Sequence, residues 1–269
     1  MSLSFNKKTL YAAERDGWSS YRVLGPREIA FQSNLTLRGR CDGADFKHGT
    51  TNVLAGQRAP YSIYGAGRSP CGNVIGSGVD GSFDHLVQNV TYKADSRIYG
   101  MAHDPSGNYI YSADPSSNGL WTHKVDPVTG LLTAAWLTAH PEAKARPRRL
   151  AVHPSGNYLY VVLSRLNKVA VYSIKRNLNA PQLVYTGKSF SLVPPGQENQ
   201  RYRGSELALS ANNDILYLTS RYIVKRRQEE DKDGEGADEE GETAGDDKHQ
   251  PKRQSIRVSW YKGEVKARR

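Results

Sequence analysis

The side chains of this chain best suited to chemistry are its cations. It carries 37 Lys and Arg against 27 Asp and Glu, a formal charge of +10. Between Glu229 and Asp247 lie eleven acidic residues and one lysine, so the rest holds 36 basic and 16 acidic side chains. The body is therefore strongly basic, which suits a positively charged solvated surface or an anion-binding cavity or groove. Nothing in it has the pattern of a nucleic-acid reader. The stretch GAGRSPCG from Gly65 has the look of a phosphate loop. Its third glycine position is Pro70, however, and no helix is predicted after it. His103 and His153 sit in turns that recur along the chain, which marks them as structural rather than catalytic. The two cysteines, Cys41 and Cys71, are too few for a disulfide framework. Neither lies in a CxxC or His-rich metal spacing, so both read as ordinary buried thiols.

The elements that must position these groups follow from an internal repeat. HDPSGNYIYSADPSSNGLWTHKV from His103 matches HPSGNYLYVVLSRLNKVAVYSI from His153. Pro105 and Pro154 are 49 residues apart, and Asn118 and Asn167 keep the same offset. A repeat of about 50 residues built from short strands is the signature of propeller blades. Each unit reads as a Pro-Ser-Gly-Asn turn, a strand (Tyr109 to Ser112; Tyr158 to Leu163), a polar turn at the asparagine and a second strand. That second strand is Leu120 to Val125 or Lys168 to Ile174, and a hairpin then supplies an outer strand. Ser4 to Tyr11 and Ser210 to Tyr217 are weaker copies, with Tyr21 following Tyr11 as Trp121 follows Tyr111. A degenerate unit occupies the interval around Val53 to Asn89. No helical periodicity is sustained, so the prediction is an all-β propeller with four to five blades. Sixteen Tyr against five Phe suit strands with wet edges.

Residues 1–225 are thus expected to form an incomplete propeller. Residues 226–253, charged and almost free of apolar side chains, read as a disordered insert. Residues 254–269 read as the start of a further blade. The opening MSLSFNKKTLYAAERDG lacks the apolar core of a signal peptide, and no run reaches the roughly 18 apolar residues of a membrane span. A soluble, cytoplasmic protein without a membrane partner is expected. The sequons at Asn34 and Asn89 are then chance matches.

Several separated segments carry a more specific message. WSSYRV near Trp18, APYSIYG at Ala59, VQNVTY at Val87, SRIYGMAHDPSGNYIYSADPSSNGLWTHK, RPRRLAVHPSGNYLY and LVPPG at Leu192 stand in order along the chain. Together they resemble the fungal carboxy-cis,cis-muconate cyclases, or 3-carboxymuconate lactonising enzymes, which are seven-bladed propellers of the lactonase type. The resemblance runs from Ser4 to Arg221, over three quarters of the chain. Compared with that family, the first strands of the first blade and most of the last two blades are missing from this sequence, so the propeller is expected to be truncated at both ends.

The resemblance implies an intramolecular cycloisomerisation in protocatechuate (β-ketoadipate) breakdown, with no metal or organic cofactor. One carboxylate of a small polycarboxylate adds across a double bond to give a lactone. Such a step needs arginines that hold carboxylates and an acid that protonates carbon. The family's HPR arginine corresponds to Arg148 in RPRRL and its SSRA arginine to Arg221 in LTSRY. Arg203 in RYRGSELA matches a further arginine with a weaker claim. Two positions depart from the pattern. Tyr99 stands where the family has histidine before Gly-Met, and Ser164 stands where it has glutamate after the NYLY strand. The replacements predict an altered or impaired proton-transfer step. Two other readings stay open: a non-catalytic propeller that binds anions or partners, and a lactone hydrolase of the phosphogluconolactonase type. Either is compatible with a homo-oligomer.

Overall fold

The computed structural model describes residues 1–36, 49–67, 69–176 and 180–223. Four of its sheets have four antiparallel strands in sequence order, and a fifth has two. Blade 1 is β1 (Ser2–Leu3), β2 (Thr9–Ala13), β3 (Gly17–Gly25) and β4 (Glu28–Thr36). Blade 2 is β5 (Thr50–Ala55), β6 (Ile63–Gly67), β7 (Cys71–Ser77) and β8 (Phe83–Thr91). Blade 3 is β9 (Gly100–His103), β10 (Tyr109–Asp114), β11 (Gly119–Val125) and β12 (Leu132–Ala139). Blade 4 is β13 (Pro147–Val152), β14 (Tyr158–Leu163), β15 (Lys168–Arg176) and β16 (Pro181–Ser191). Blade 5 is β17 (Tyr202–Leu209) and β18 (Leu216–Tyr222). The propeller class and the blade count match the sequence expectation. The charged segment 226–253 and the strand expected in 254–269 lie outside the described residues.

One turn explains why five dissimilar sequences start their blades alike. The carbonyls of Ser4, Arg58, Asp104, His153 and Ser210 accept from the amides of Lys7, Tyr61, Gly107, Gly156 and Asn213 at 2.7–2.9 Å. All five donors have φ between 58° and 72°. This is a tight turn closed by a left-handed residue, which glycine and asparagine adopt at little cost. Blade 2 makes it without a Pro-Ser-Gly-Asn sequence, so its repeat is degenerate in letters and regular in backbone. Asn118 and Asn167 are also left-handed, with φ of 48° and 51°. From there Asn118 Nδ2 donates to the carbonyl of Glu142, and Asn167 Nδ2 to that of Tyr202, tying each blade to the next.

The core lies between blades rather than inside them. Tyr11, Trp18, Val53, Ile63, Ile75 and Phe83 fill the join of blades 1 and 2. Tyr64, Val74, Ile110 and Val125, with Tyr92, Ile98 and Trp121, fill the next join. Tyr111, Leu120, Leu159, Leu163 and Tyr172 fill the join of blades 3 and 4. Burying each such side chain contributes about 1.5–3 kcal/mol. The join of blades 4 and 5 has polar stitches instead: Asn167 to Asn199 and Tyr202, and the Gly204 amide to the Ser164 carbonyl at 3.3 Å.

Two details correct the sequence reading. Cys71 is disulfide-bonded, so it is not a free thiol; Cys41 lies outside the described residues. Two lone cysteines with no motif spacing carry no sequence signal of pairing. In blade 1 the hairpin after β2 is two residues shorter than in blade 3: Tyr11 faces Ser20, whereas Tyr111 faces Thr122. Tyr21 therefore stands where His123 stands, and Trp18 where Leu120 does, because Ala13 and Ala113 are their partners. Among the described residues no helix is long and apolar enough to cross a membrane.

Candidate functional site

The first strands β1, β5, β9, β13 and β17 stand side by side along the arc, each touching the next. Of the family-matched residues, Arg148 and Arg203 lie on this wall, Tyr99 just before β9, Ser164 just after β14 and Arg221 on β18. Tyr99 immediately precedes β9, and its amide donates to the Ala113 carbonyl at 3.0 Å. The next residue must be small. A Cβ at Gly100 would meet the Arg148 carbonyl oxygen at 2.8 Å and the Arg149 Cα at 3.0 Å. That close approach of β9 to β13 puts the Arg148 guanidinium carbon 4.9 Å from the centre of the Tyr99 ring. Such a cation–π pair contributes about 0.5–2 kcal/mol, the larger value when water is excluded.

Arg148 is half-buried, and its environment disfavours its charge. Burial is the main reason its pKa is lowered, followed by the like charges of Arg149 and Arg221; Tyr99 and Glu206 act the other way. Tyr99 and Arg148 are thus in contact, and Arg221 is near enough for its charge to bear on that of Arg148. Arg221, exposed on β18, faces Arg203 directly across the β17–β18 ladder. Like charges in that relation are destabilising unless an anion lies nearby. Arg203 turns back on its own strand, with Nη1 donating to the Tyr202 carbonyl at 3.0 Å.

Ser164 does something other than its matched position implies. It is buried, and both its amide and its Oγ donate to the Arg146 carbonyl at 3.0 Å. Arg146 holds a left-handed φ of 56°, and its amide donates to Asn118 Oδ1 at 3.0 Å. The hydroxyl therefore clips the segment entering β13, two residues before Arg148. His103 and His153 behave structurally: one imidazole bonds the Ala55 carbonyl, the other Ser155 in its own turn.

Two residues escaped the sequence reading. Arg149 Nε donates to Glu206 Oε1 at 2.9 Å and Oε2 at 2.8 Å, joining β13 to β17. Glu206 is the only acidic residue in the five first strands. That fact was available from the strand assignments alone, but its pairing was not. Chemically, Tyr99, Arg148, Arg149, Arg203, Arg221 and Glu206 offer guanidiniums, a phenol and a carboxylate, groups that can bind carboxylates and stabilise negative charge developing on them.

A family model for lactonase, a seven-bladed β-propeller, matches residues 80–233, more than half of the chain. The carboxy-cis,cis-muconate cyclase of Neurospora crassa is 32% identical over 236 residues, covering 82% of this chain and 63% of that protein. Muconate cycloisomerase 1 of Cutaneotrichosporon cutaneum is 26% identical over 117 residues, 44% of this chain and 30% of that one. Among solved structures, the periplasmic gluconolactonase of Pseudomonas aeruginosa superposes with a TM-score of 0.66 at 18% identity, covering 82% of this chain and 64% of that one. A putative 6-phosphogluconolactonase of Bacteroides uniformis superposes equally well, at 0.66 and 17% identity, over 82% and 63% of the two chains. At such identities these two speak for the fold alone. The chain spans a little under two thirds of the length of the Neurospora protein and of both solved structures. The motif resemblance is borne out, and the chain belongs to the lactonase family of seven-bladed β-propellers.

Proposed function

We propose that this chain is a carboxymuconate cyclase-like cycloisomerase acting on 3-carboxy-cis,cis-muconate or a close polycarboxylate. The observation that carries the reading is the packing of Arg148 on Tyr99 within electrostatic reach of Arg149 and Arg221. Arg148 and Arg221 hold the substrate's carboxylates, with Arg203 in support across the ladder. One carboxylate oxygen bonds to the far carbon of a C=C bond. The π pair moves to the carbon beside a second carboxylate, giving an enolate-like dianion that the arginines stabilise. Tyr99 delivers its phenolic proton to that carbon and regains one from solvent. Ser164 acts as the clip that sets the entry to β13.

A non-catalytic anion-binding role is the second reading, favoured by the Ser164 hydroxyl being occupied by the Arg146 carbonyl. An ultraviolet assay of the purified chain with 3-carboxy-cis,cis-muconate separates the two. Loss of the conjugated diene absorbance in proportion to enzyme supports the cycloisomerase. A folded sample that binds the substrate without consuming it sinks the cycloisomerase and leaves the anion binder.

A further inference from the structure

The alternation of a β-strand sends successive side chains to opposite faces. Arg148 and Arg149 should therefore part company, one to the channel and one into a blade join. The ladder shows why they do not. Pro147 pairs with Leu163 and Arg149 with Val162, so Arg148 is an extra residue with no partner of its own. A bulge of this kind re-aims neighbouring side chains towards one side. The Arg149 side chain runs back over Gly100, its Cδ 3.4 Å from where a Cβ there would stand, next to the Tyr99 ring that carries the Arg148 guanidinium.

What they do with their hydrogens is the second observation. Arg148 Nε and Arg149 Nη1 are both buried, and neither finds an acceptor among the described residues. A guanidinium has five donors and no acceptor, and a buried donor without a partner costs about 1–3 kcal/mol. Glu206 takes only Nε of Arg149, on the far side of that guanidinium from Nη1 in bonding terms. The β17 ladder is also irregular here, between Gly204 and Leu207, and the Glu206 amide donates to Thr219 Oγ1 at 3.0 Å. The backbone of Glu206 is thus anchored, and its half-exposed carboxylate takes Nε of Arg149 and leaves part of the fork unused.

We infer that Arg148 and Arg149 form a two-guanidinium subsite that takes one carboxylate of a polycarboxylate ligand, with Glu206 as the positioning residue for Arg149. A carboxylate has two oxygens and about four lone-pair sites, enough to accept from both guanidiniums at once. The inference rests on the proposed anion site at Arg148 and Arg221, and adds the residue that distinguishes a tricarboxylate from a dicarboxylate.

Calorimetric titration of the full chain with propane-1,2,3-tricarboxylate and with glutarate, at low and moderate salt, tests it without requiring turnover. Arg149→Met is expected to weaken the tricarboxylate about tenfold or more and glutarate much less. Arg149→Lys keeps the charge and stem without the fork, and covers the case in which the methionine variant does not fold; it is expected to recover less than half of the lost binding free energy. Glu206→Gln is expected to weaken the tricarboxylate several-fold, and Glu206→Asp to restore part of that loss. If Arg149→Met and Arg149→Lys both bind as the parent does while Arg148→Met loses binding, the subsite is wrong and the anion site stands. Tighter binding by Glu206→Gln would show a competing charge and overturn its positioning role. If the parent binds neither anion, or Arg148→Met and Arg221→Met bind as it does, the anion site falls and the subsite with it.

Discussion

The guanidinium of Arg148 lies over the ring of Tyr99, 4.9 Å from its centre, where the missing side chain of Gly100 lets β9 and β13 come close. Ring and hydroxyl of Tyr99 therefore have separable tasks. Tyr99→Phe keeps the face that supports Arg148 and removes the proton. Tricarboxylate affinity should stay within about twofold, while turnover of 3-carboxy-cis,cis-muconate falls about a hundredfold or more. Tyr99→Ala should lose both. Turnover by Tyr99→Phe at the parent's rate would remove the phenol from any chemical role.

Arg148→Ala should abolish measurable turnover, a loss of at least about a hundredfold in kcat/KM. Arg148→Lys should rescue little, because an ammonium cannot offer a planar fork or spread over the Tyr99 ring in the same way. Full activity in the alanine variant would sink the site assignment.

Acid should weaken the fold through His123. Its ring is buried against Tyr92 and Trp121, and burial lowers its pKa from 6.5 to about 4. Below about pH 6.5 the unfolded chain takes up a proton that the folded chain refuses until about pH 4. Stability is thus fully present above the upper value and falls as pH drops through the window, by about 3 kcal/mol at its end. Burial lowers His103 and His140 in the same direction. His123→Phe should flatten the slope of melting temperature between pH 6.5 and 4; an unchanged slope would assign the acid sensitivity elsewhere.

The join of blades 3 and 4 contains a fully buried carboxylate, Asp104, held by Arg176 Nη2 at 2.9 Å and by the Tyr111 hydroxyl at 3.3 Å. Arg176 is half-exposed, so most of its value lies in not leaving that carboxylate uncompensated. Arg176→Met should cost about 2–3 kcal/mol in denaturant unfolding, and Asp104→Asn combined with it should cost less than the sum of the two alone. Additive losses would mean the pair does not interact.

How much of this was legible depends on which physical rule governed each residue. The blade turns were readable because a left-handed residue at their end favours Gly or Asn, and Gly107, Gly156 and Asn213 supply it. Lys7 and Tyr61 adopt the same φ against propensity, so blades 1 and 2 looked weaker than they are. The hairpin length in blade 1 was misjudged because aligning one tyrosine to one tryptophan carries no register information. Arg148 and Arg221 were found through neighbouring motif letters. Arg149 was hidden by the strand rule itself, since only the hydrogen-bond ladder reveals the bulge at Arg148. Ser164 looked like a lost carboxylate; its contacts make it a fastening for Arg146, and Ser164→Ala should lower stability by about 1 kcal/mol.

Every apolar cluster in the described arc belongs to two neighbouring blades, and the last join is held by amides, an asparagine and one ion pair instead. Arg221 sits beyond that join and Arg148 before it. An anion gripped by both must therefore rivet the most loosely seated part of the arc, and part of its binding free energy is consumed in seating it. The ligand then serves as a keystone as well as a cargo. Its arrival should slow amide exchange in β17 and β18 more than in β2 or β6, and raising salt should loosen the same two strands first.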